Sequence, residues 1–272
     1  MNNDHRFILK SRSRFVKPKI IENNTKHYYK NNNSSVTVIQ ADNRNNLDFL
    51  NLSKKNNIKM CELLKYNYLF INFDFEYLKE KYKCKNPKYA KIFVINEYIN
   101  KTNNEIIVFL DSDAWIQEPY YLKDLVTNVN LNNTINGAYS RDPYTDNGYN
   151  TYINSGGFIL KINNYVKQMY KQIIRDYYTV LNTHWTNDQF YISRFVYKNK
   201  DKFYIFEPDI LNSPTGKIIR HCWNGKKDGI ITIHLTNQID RTEYIKDTKF
   251  IIEENLCKKQ SFFQKVNVKK RY

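Results

Sequence analysis

At 272 residues, with 41% hydrophobic and 15% aromatic residues, the chain can bury a substantial core and fits a globular protein of one large or two small domains. The formal net charge of +16 favours anionic partners, although lysines spread along the whole chain also predict a solvated, Lys-rich surface. The four cysteines lie far apart without Cys-x-x-Cys spacing, which argues against a zinc site or a disulfide framework. Residues 1–35 lack an apolar run long enough for a signal peptide or membrane anchor, so we expect a soluble, cytoplasmic protein without a transmembrane anchor.

The first part of the chain alternates predicted strands and helices. In order, the pattern gives a basic flexible arm over residues 1–35, a strand at Val36–Gln40, a helix over Leu47–Leu64, a strand at Tyr68–Ile71, and a helix that begins at Pro87. This order is typical of a parallel sheet with right-handed crossovers and predicts an α/β fold. The first strand runs into a polar turn at Ala41 and Asp42, where a nucleotide base can sit.

The next predicted strand, Ile106–Leu110, consists of five consecutive apolar residues, which is typical of a strand buried on both faces. It ends in Asp111-Ser112-Asp113, and two carboxylates cannot be hidden unpaired in a core. Ligands in open α/β sheets bind just beyond the carboxyl ends of the strands, and alternation lets Asp111 and Asp113 project to the same side. A divalent cation that bridges to a phosphate relieves the repulsion between the two acids. The segment therefore predicts a metal-and-diphosphate site, with a simple polar turn as the alternative.

Three polar segments follow in the second half of the chain. Asn154-Ser-Gly-Gly157 precedes an apolar run, and its paired glycines favour a tight turn over a close approach to a ligand. Asn187 or Thr186 is expected to cap a helix whose first turn holds Asp188, either as a carboxylate favoured by the helix dipole or as one held at a cleft. His234 ends a predicted strand, and by itself favours a structural role over metal ligation. The other predicted elements are a short helix over 122–126, a strand over 135–139, a helix over 165–180 and a Lys-rich C-terminal tail over 242–272.

These segments, in this order, resemble the GT-A-type glycosyltransferases, and among them the galactosyl/xylosyl/mannosyltransferase family of fungal α-galactosyltransferases and plant xyloglucan xylosyltransferases. The most specific part is Asn86-Pro-Lys-Tyr-Ala-Lys-Ile92, followed by Val108-Phe-Leu-Asp-Ser-Asp113 and Pro119. Asn154-Ser-Gly-Gly-Phe is similar to the family's Asn-Ser/Thr-Gly segment, Asp188-Gln189 to its Asp/Glu-Gln pair, and His234 to the His of its His-Phe-x-Gly motif. The resemblance implies a GT-A (Rossmann-like) mixed sheet, mainly parallel and flanked by helices, in a domain over 36–241.

The resemblance also implies a metal-dependent enzyme that moves a sugar from a nucleotide sugar to a glycan or protein-linked acceptor, with retention of configuration. Asp111, Asp113 and His234 would hold Mn²⁺, or Mg²⁺ as the alternative, against the diphosphate. UDP is the expected nucleotide, and GDP-mannose is the alternative. The other implied site residues are Lys91 near the phosphates, Ala41 and Asp42 near the base and ribose, Ser112 at the donor, Asn154, Ser155 and Gly156 at the sugar and acceptor, and Asp188 and Gln189 as catalytic residues beneath the sugar.

Two other interpretations stay open. A nucleic-acid-binding protein would use the +16 charge, the basic arm and the abundant Tyr residues for stacking, but the chain has no recognised nucleic-acid module, which disfavours a nucleic-acid partner. A glycosyltransferase-like fold that has lost activity would serve as a binding or scaffold protein. Only an activity measurement separates that scaffold from an enzyme.

Overall fold

The computed structural model describes residues 25–44, 46–143, 152–180, 187–223, 225–227, 230–233, 235 and 237–248. The strands β1 to β11 are Thr25–Tyr29, Val36–Asp42, Asn67–Asn72, Ile106–Leu110, Ala114–Ile116, Gly137–Arg141, Ile153–Lys161, Tyr204–Phe206, Ile219–His221, Gly225–Lys227 and Ile230–Ile233. The helices α1 to α8 are Asp48–Leu64, Phe75–Tyr82, Ala90–Lys101, Pro119–Leu131, Asn164–Thr179, Asp188–Lys198, Pro208–Leu211 and Gln238–Asp247. A 3₁₀ turn at Pro87–Tyr89 leads into α3, so the helix predicted to begin at Pro87 is present.

The main sheet has seven strands among the described residues, in the order β1-β3-β2-β4-β7-β6-β8. β2 pairs in parallel with both β3 and β4, and β6 pairs in parallel with β8. β1 and β7 run antiparallel to their neighbours. Five of the seven strands therefore point the same way, which confirms the predicted mixed, mainly parallel α/β sheet. β4 lies in the middle, where Val108 pairs with Val38 on one side and with Ile159 on the other.

Helices cover both faces of the sheet, and β4 contributes to both cores because its side chains alternate. Ile106, Val108 and Leu110 belong to the core that contains residues of α1 and α4. Ile107 and Phe109 belong to the core that contains residues of α3, α5 and α6. Burying a side chain of this size contributes roughly 1.5–3 kcal/mol. A continuous apolar run is therefore what a strand covered on both faces requires.

The segment Asn154-Ser-Gly-Gly157 lies within β7, so the tight turn predicted there is wrong. Ala138 of β6 pairs with Ile159 of β7, and Ser140 of β6 pairs with Asn154 of β7. Between these two pairs, β6 advances by two residues and β7 by five. The surplus residues form a bulge that contains both glycines. The physical reason for the wrong prediction is that paired glycines serve a bulge beside other packed elements as well as they serve a turn.

The ends of the described region differ from the predicted boundaries. β1 pairs with β3, with Thr25 opposite Ile71, so residues 25–29 form an edge strand where the sequence predicted a flexible arm over 1–35. The open backbone edge of β3 supplies the partner groups for this strand. α8 crosses the predicted boundary at residue 241 between the domain and the tail. Among the described residues, every helix is too short or too polar to cross a membrane.

Candidate functional site

A cavity of about 520 Å³ opens at the carboxyl ends of β2 and β4, the edge where open α/β sheets bind their ligands. The first turns of two helices border the cavity, with Lys91 in the first turn of α3 and Asp188 in the first turn of α6. Both residues line the cavity. Four more of the predicted site residues share the lining, and these are Ala41, Asp42, Asp111 and Ser112.

The starts of these two helices follow from local sequence. The side chain of Asn86 accepts a hydrogen bond from Lys88 N at 3.0 Å, and Pro87 begins the 3₁₀ turn that runs into α3. The side chain of Asn187 accepts from Phe190 N at 3.0 Å and caps α6, as predicted. These caps fix the directions in which α3 and α6 present their first-turn side chains to the cavity.

The ammonium group of Lys91 links three other predicted site residues, Asp111, Ser155 and Asp188, into one cluster. Lys91 Nζ lies 2.7 Å from Asp111 Oδ1 and 2.9 Å from Asp188 Oδ2. It donates to Ser155 O at 2.9 Å and to Ser155 Oγ at 3.2 Å. The hydroxyl of Ser155 in turn donates to Asp188 Oδ2 at 2.8 Å. The cluster places one cation between an acid that directly follows β4 and an acid in the first turn of α6.

Burial and neighbouring charges set the protonation of this cluster. Burial would lower the pKa of Lys91, but Asp111 and Asp188 raise that pKa above its ordinary value, so the ammonium stays charged. Burial raises the pKa of Asp111, and the nearby Lys91 and His221 only partly offset the rise. Burial acts on Asp113 in the same direction, but His221 and Arg241 outweigh it and hold its pKa below the ordinary value. The two acids of the Asp-Ser-Asp turn therefore have opposite shifts.

Asp113 faces two residues that the sequence did not assign to the site. Arg241 Nη1 of α8 lies 2.8 Å from Asp113 Oδ2. His221 Nε2 of β9 lies 3.2 Å from Asp113 Oδ1 and 3.7 Å from Asp111 Oδ2. Each acid thus has one oxygen on a permanent cation, Lys91 or Arg241, and one oxygen turned towards the same imidazole.

A buried polar network holds the backbone of the Asp-Ser-Asp turn. Gln40 Nε2 donates to Asp111 O at 2.9 Å, and Ser53 Oγ donates to Ser112 O at 2.6 Å. Asn57 Nδ2 donates to Gln40 Oε1 at 3.0 Å, and Asn57 Oδ1 accepts a backbone N–H of β5 at 2.9 Å. All three side chains are fully buried. Because buried polar groups of this kind are costly to leave unpaired, the network fixes the position of the turn.

The polar segment of β7 connects to the first turn of α6. Gly156 N donates to Asn154 Oδ1 at 2.9 Å, and Ser155 N donates to Gln189 Oε1 at 3.4 Å. Asp142 Oδ2 accepts from Gln189 Nε2 at 2.6 Å and from Asn154 Nδ2 at 3.3 Å. The structure therefore brings the four predicted residues together and adds Asp142. Asp142 directly follows β6, and a carboxylate just beyond the end of a strand is the signal that could have identified it.

Arg44 and Asp42, which line the same cavity, form a further ion pair. Arg44 Nε lies 2.9 Å from Asp42 Oδ1, and Arg44 Nη2 lies 2.8 Å from Asp42 Oδ2. Asp42 also accepts from Arg44 N at 2.8 Å. The carboxylate is 4% exposed as part of Asp42, whereas the Arg44 side chain is 57% exposed. This two-point contact fixes the orientation of Asp42 beside Ala41.

Only part of the predicted metal-ligand set falls within the described residues. His234 lies outside them. Among the residues that are described, no group of three or more His, Cys, Asp or Glu is spaced to hold a metal ion. The donor chemistry of Asp111 and Asp113 nevertheless fits a hard divalent ion, because each carboxylate has an oxygen that contacts neither Lys91 nor Arg241.

No family model matches the chain, and no curated protein matches it in sequence. Solved structures do match. A glycosyltransferase involved in the glycosylation of the major capsid of PBCV-1 aligns with a TM-score of 0.56 at 14% identity, over 78% of this chain and 99% of that chain. The galactosyltransferase LgtC, solved with donor and acceptor sugar analogues, gives 0.47 at 14%, over 80% and 98%. Mouse xyloside xylosyltransferase 1 gives 0.40 at 12%, over 65% and 86%. The first comparison shows that the chain has the fold of a GT-A glycosyltransferase, as predicted.

Proposed function

We propose that this protein is a glycosyltransferase that moves a sugar from a nucleotide sugar to a glycan or a protein-linked acceptor. The observation that carries the proposal is the convergence of Lys91, Asp111 and Asp188 in the cavity beyond β2 and β4. A buried cation that contacts two acids can exchange one of them for an anionic ligand such as a diphosphate. The fold shared with a solved glycosyltransferase supports the same proposal.

The nucleoside of the donor would occupy the side of the cavity formed by Ala41 and Asp42. Asp42 has an oriented carboxylate, which suits hydrogen bonds from ribose hydroxyl groups. Phe73 also lines the cavity and supplies an aromatic ring on which a base can stack. We take UDP as the nucleotide, with GDP-mannose as the alternative that the donor panel below distinguishes.

The diphosphate would be neutralised by a metal ion and by Lys91. Asp111 and Asp113 would hold Mn²⁺, or Mg²⁺, through the oxygens that do not contact Lys91 and Arg241. Such an ion, when bound, stabilises the negative charge on the leaving nucleoside diphosphate. Lys91 adds a charge that does not depend on metal, because its raised pKa keeps it protonated. Ser112 lies between the two acids, and its place in the lining suits contact with the donor.

Transfer with retention is proposed to use Asp188 or Gln189 beneath the sugar. Asp188 Oδ2 is held by Lys91 and Ser155, and the amide of Gln189 is held between Ser155 N and Asp142. Groups fixed in this way before the donor binds need little reorganisation to stabilise positive charge at the reacting carbon. Asn154 and Gly156 would line the acceptor side of the same segment.

The test is the release of nucleoside diphosphate from a panel of UDP- and GDP-sugars by the full chain, with Mn²⁺ and with EDTA. We expect release from one donor only with metal, and its loss in Asp111→Asn and in Asp113→Asn. Asp201→Asn is the matched control, because the side chain of Asp201 is 70% exposed and lies outside the cavity. Wild-type rates in both turn variants would reject the proposed site.

Two failures of the panel would point to the other interpretations. If no donor releases nucleoside diphosphate but the protein still binds a nucleotide, an inactive scaffold is favoured. If no donor reacts and no nucleotide binds, while oligonucleotides bind in a salt-sensitive way that survives Asp111→Ala, a nucleic-acid-binding protein is favoured.

A further inference from the structure

A segment at the mouth of the cavity carries three lysines and no acid. Residues 83–88 read Lys-Cys-Lys-Asn-Pro-Lys and connect α2 to the 3₁₀ turn before α3. Lys83, Lys85 and Lys88 are exposed, whereas Cys84 between the first two is buried. Lys88 also lines the cavity, so the segment runs from the protein surface to the opening of the site.

The backbone of this segment is held in place by packed neighbours. Lys83 ends α2 with a left-handed φ of 51°, and Cys84 N donates to Leu78 O at 3.2 Å. Cys84 is 1% exposed and anchors the segment in the core. Lys85 N donates to Tyr177 Oη of α5 at 2.9 Å. The lysines therefore extend from a fixed backbone and not from a loose loop.

The last turn of α5 packs against the segment and adds a further cation. Tyr178 Oη donates to Tyr82 O at 2.5 Å. Arg175 precedes Tyr178 by three residues, so the two side chains are neighbours on the helix surface. Arg175 is exposed, and Tyr178 is 52% exposed. We call the cluster formed by the four cations the basic rim: Lys83, Lys85, Lys88 and Arg175.

The basic rim is unpaired, whereas the preceding lysines of α2 are neutralised. Lys79 Nζ lies 2.7 Å from Glu76 Oε1, and Lys81 Nζ lies 2.5 Å from Oε1 of the buried Glu97. Within the described part of the chain, no carboxylate forms an ion pair with a cation of the basic rim. Like charges that are grouped without acids repel each other, and an anionic ligand relieves that repulsion when it binds.

The position of the basic rim favours a ligand other than the donor. Of its four cations, only Lys88 lines the cavity in which the donor is proposed to bind. The other three lie outside that lining, where a ligand meets them if it extends past the donor onto the surface. The acceptor of a sugar transfer is such a ligand. The exposed ring of Tyr178 adds an apolar face beside the cations, which suits a sugar ring that carries acidic groups.

We propose that the basic rim binds an acidic acceptor, a glycan that carries groups such as carboxylate or sulfate, at the mouth of the cavity. The inference rests on the proposed function and adds the chemical class of the acceptor. Because the cations are exposed and therefore screened by ions, binding should weaken as the salt concentration rises.

The experiment measures binding of fluorescently labelled oligosaccharides to the full chain by anisotropy. The acidic probes are an oligogalacturonate and a heparin oligosaccharide, and the neutral probe is a malto-oligosaccharide of equal length. We expect the wild type to bind at least one acidic probe but not the neutral one, with a Kd that rises between about 50 and about 200 mM NaCl. The Kd should rise about 10-fold in Lys83→Gln/Lys85→Gln, which removes two screened contacts.

The matched control is Lys55→Gln/Lys59→Gln, which removes two exposed lysines of α1 and changes the net charge equally. α1 packs on the opposite face of the sheet from Cys84, so the Kd of this variant should stay within about 2-fold of the wild-type value. An equal loss in the control would assign binding to net charge alone and overturn the inference.

Release of nucleoside diphosphate connects the basic rim with the site. Each rate is expressed relative to the rate of the same protein without oligosaccharide. The acidic probe should change the relative rate of the wild type, because it lies at the mouth of the cavity. About 10-fold more probe should be needed for the same change in Lys83→Gln/Lys85→Gln. A probe that binds without any effect on release would overturn the acceptor role.

The outcomes separate this inference from the proposed function. If Lys83→Gln/Lys85→Gln binds the acidic probes as tightly as the wild type, or if neither acidic probe binds the wild type, the inference fails while donor release can still establish the proposed function. If vesicles of phosphatidylserine and phosphatidylcholine bind but neither acidic probe does, the basic rim is a membrane surface and the inference fails. If binding depends on the basic rim but no donor is hydrolysed, the proposed function fails and takes the acceptor role with it.

Discussion

Replacing Lys91 by Met tests the charge arrangement at the centre of the site. The ammonium contacts Asp111 and Asp188 at 2.7 and 2.9 Å, and it donates twice to Ser155. Removing one partner from a buried ion pair costs roughly 3–5 kcal/mol, because the remaining charge stays buried and unpaired. The side chain of Asp111 is 29% exposed, so water partly screens its charge once Lys91 is removed. We therefore expect a loss of unfolding free energy at the lower end of that range, about 3 kcal/mol.

The loss of stability in Lys91→Met should change with pH in a direction that follows from the pKa shifts of Lys91 and Asp111. The raised pKa of Lys91 means that its stabilisation is fully present below the unfolded lysine value of about 10.4 and is lost only as the pH rises through the folded value. At neutral pH the variant therefore loses the whole contribution. Without Lys91, the already raised pKa of Asp111 should rise further, and the folded variant gains stability as it takes up that proton on acidification. The deficit should thus be largest near neutral pH and smaller at about pH 5.

Thermal unfolding followed by circular dichroism measures the effect. About 3 kcal/mol corresponds to a fall in Tm of roughly 6–12 °C for a chain of this size. Lys88→Met is the matched control, since Lys88 lines the same cavity but is exposed, and its Tm should stay close to the wild-type value. The double variant Lys91→Met/Asp188→Asn should be more stable than Lys91→Met alone. Additive losses in the double variant, or a Tm change in Lys91→Met no larger than in the control, would refute the argument.

Three further predictions concern contacts away from Lys91. Glu97→Gln weakens the contact with Lys81 and should cost about 1.5–3 kcal/mol near neutral pH. Because Lys81 outweighs burial and lowers the pKa of Glu97, the difference in Tm from wild type should shrink as the pH falls below the unfolded glutamate value of about 4.3, and it should vanish as the pH falls through the lower folded value. Asn57→Ala should lower kcat/KM for donor hydrolysis about 10-fold or more, while a rate unchanged from wild type would show that the network beneath the turn does not position it. Arg44→Ala should raise the KM for the donor with little change in kcat, since Asp42 loses its two-point contact, and a kcat effect alone would contradict that role.

The sequence predicted the elements that depend on local pattern. The run Ile106–Leu110 became β4 with the predicted bounds, and the helical stripe predicted over 165–180 became α5 at Asn164–Thr179. These succeed because an uninterrupted apolar run and a 3.6-residue period have few alternative structures. The directions of β1 and β7 could not be predicted in this way, since antiparallel pairing with distant strands is decided by tertiary packing.

Some residues of the candidate site could likewise be predicted from local sequence pattern, and others could not. Asp111, Lys91 and Asp188 stand next to strand and helix boundaries, so their positions at one edge of the sheet could be inferred. His221 and Arg241 come from β9 and α8, and no local pattern connects them with the Asp-Ser-Asp turn. Their approach depends on how the last part of the chain packs across the sheet edge. A sequence without an aligned relative carries no signal for that packing.

The bulge in β7 makes the site sensitive to chain length as well as to chemistry. On its two sides, Ser155 contacts the Lys91 cluster while the bare position of Gly156 faces His221. Deleting one of the two glycines would keep every functional side chain, and the pairing of the rest of β7 with β4 would hold the core in place. The side chains before the deletion would nevertheless exchange faces, because a one-residue slip reverses a strand. A length variant of this protein can therefore keep the pairing of β7 with β4 and still lose its site.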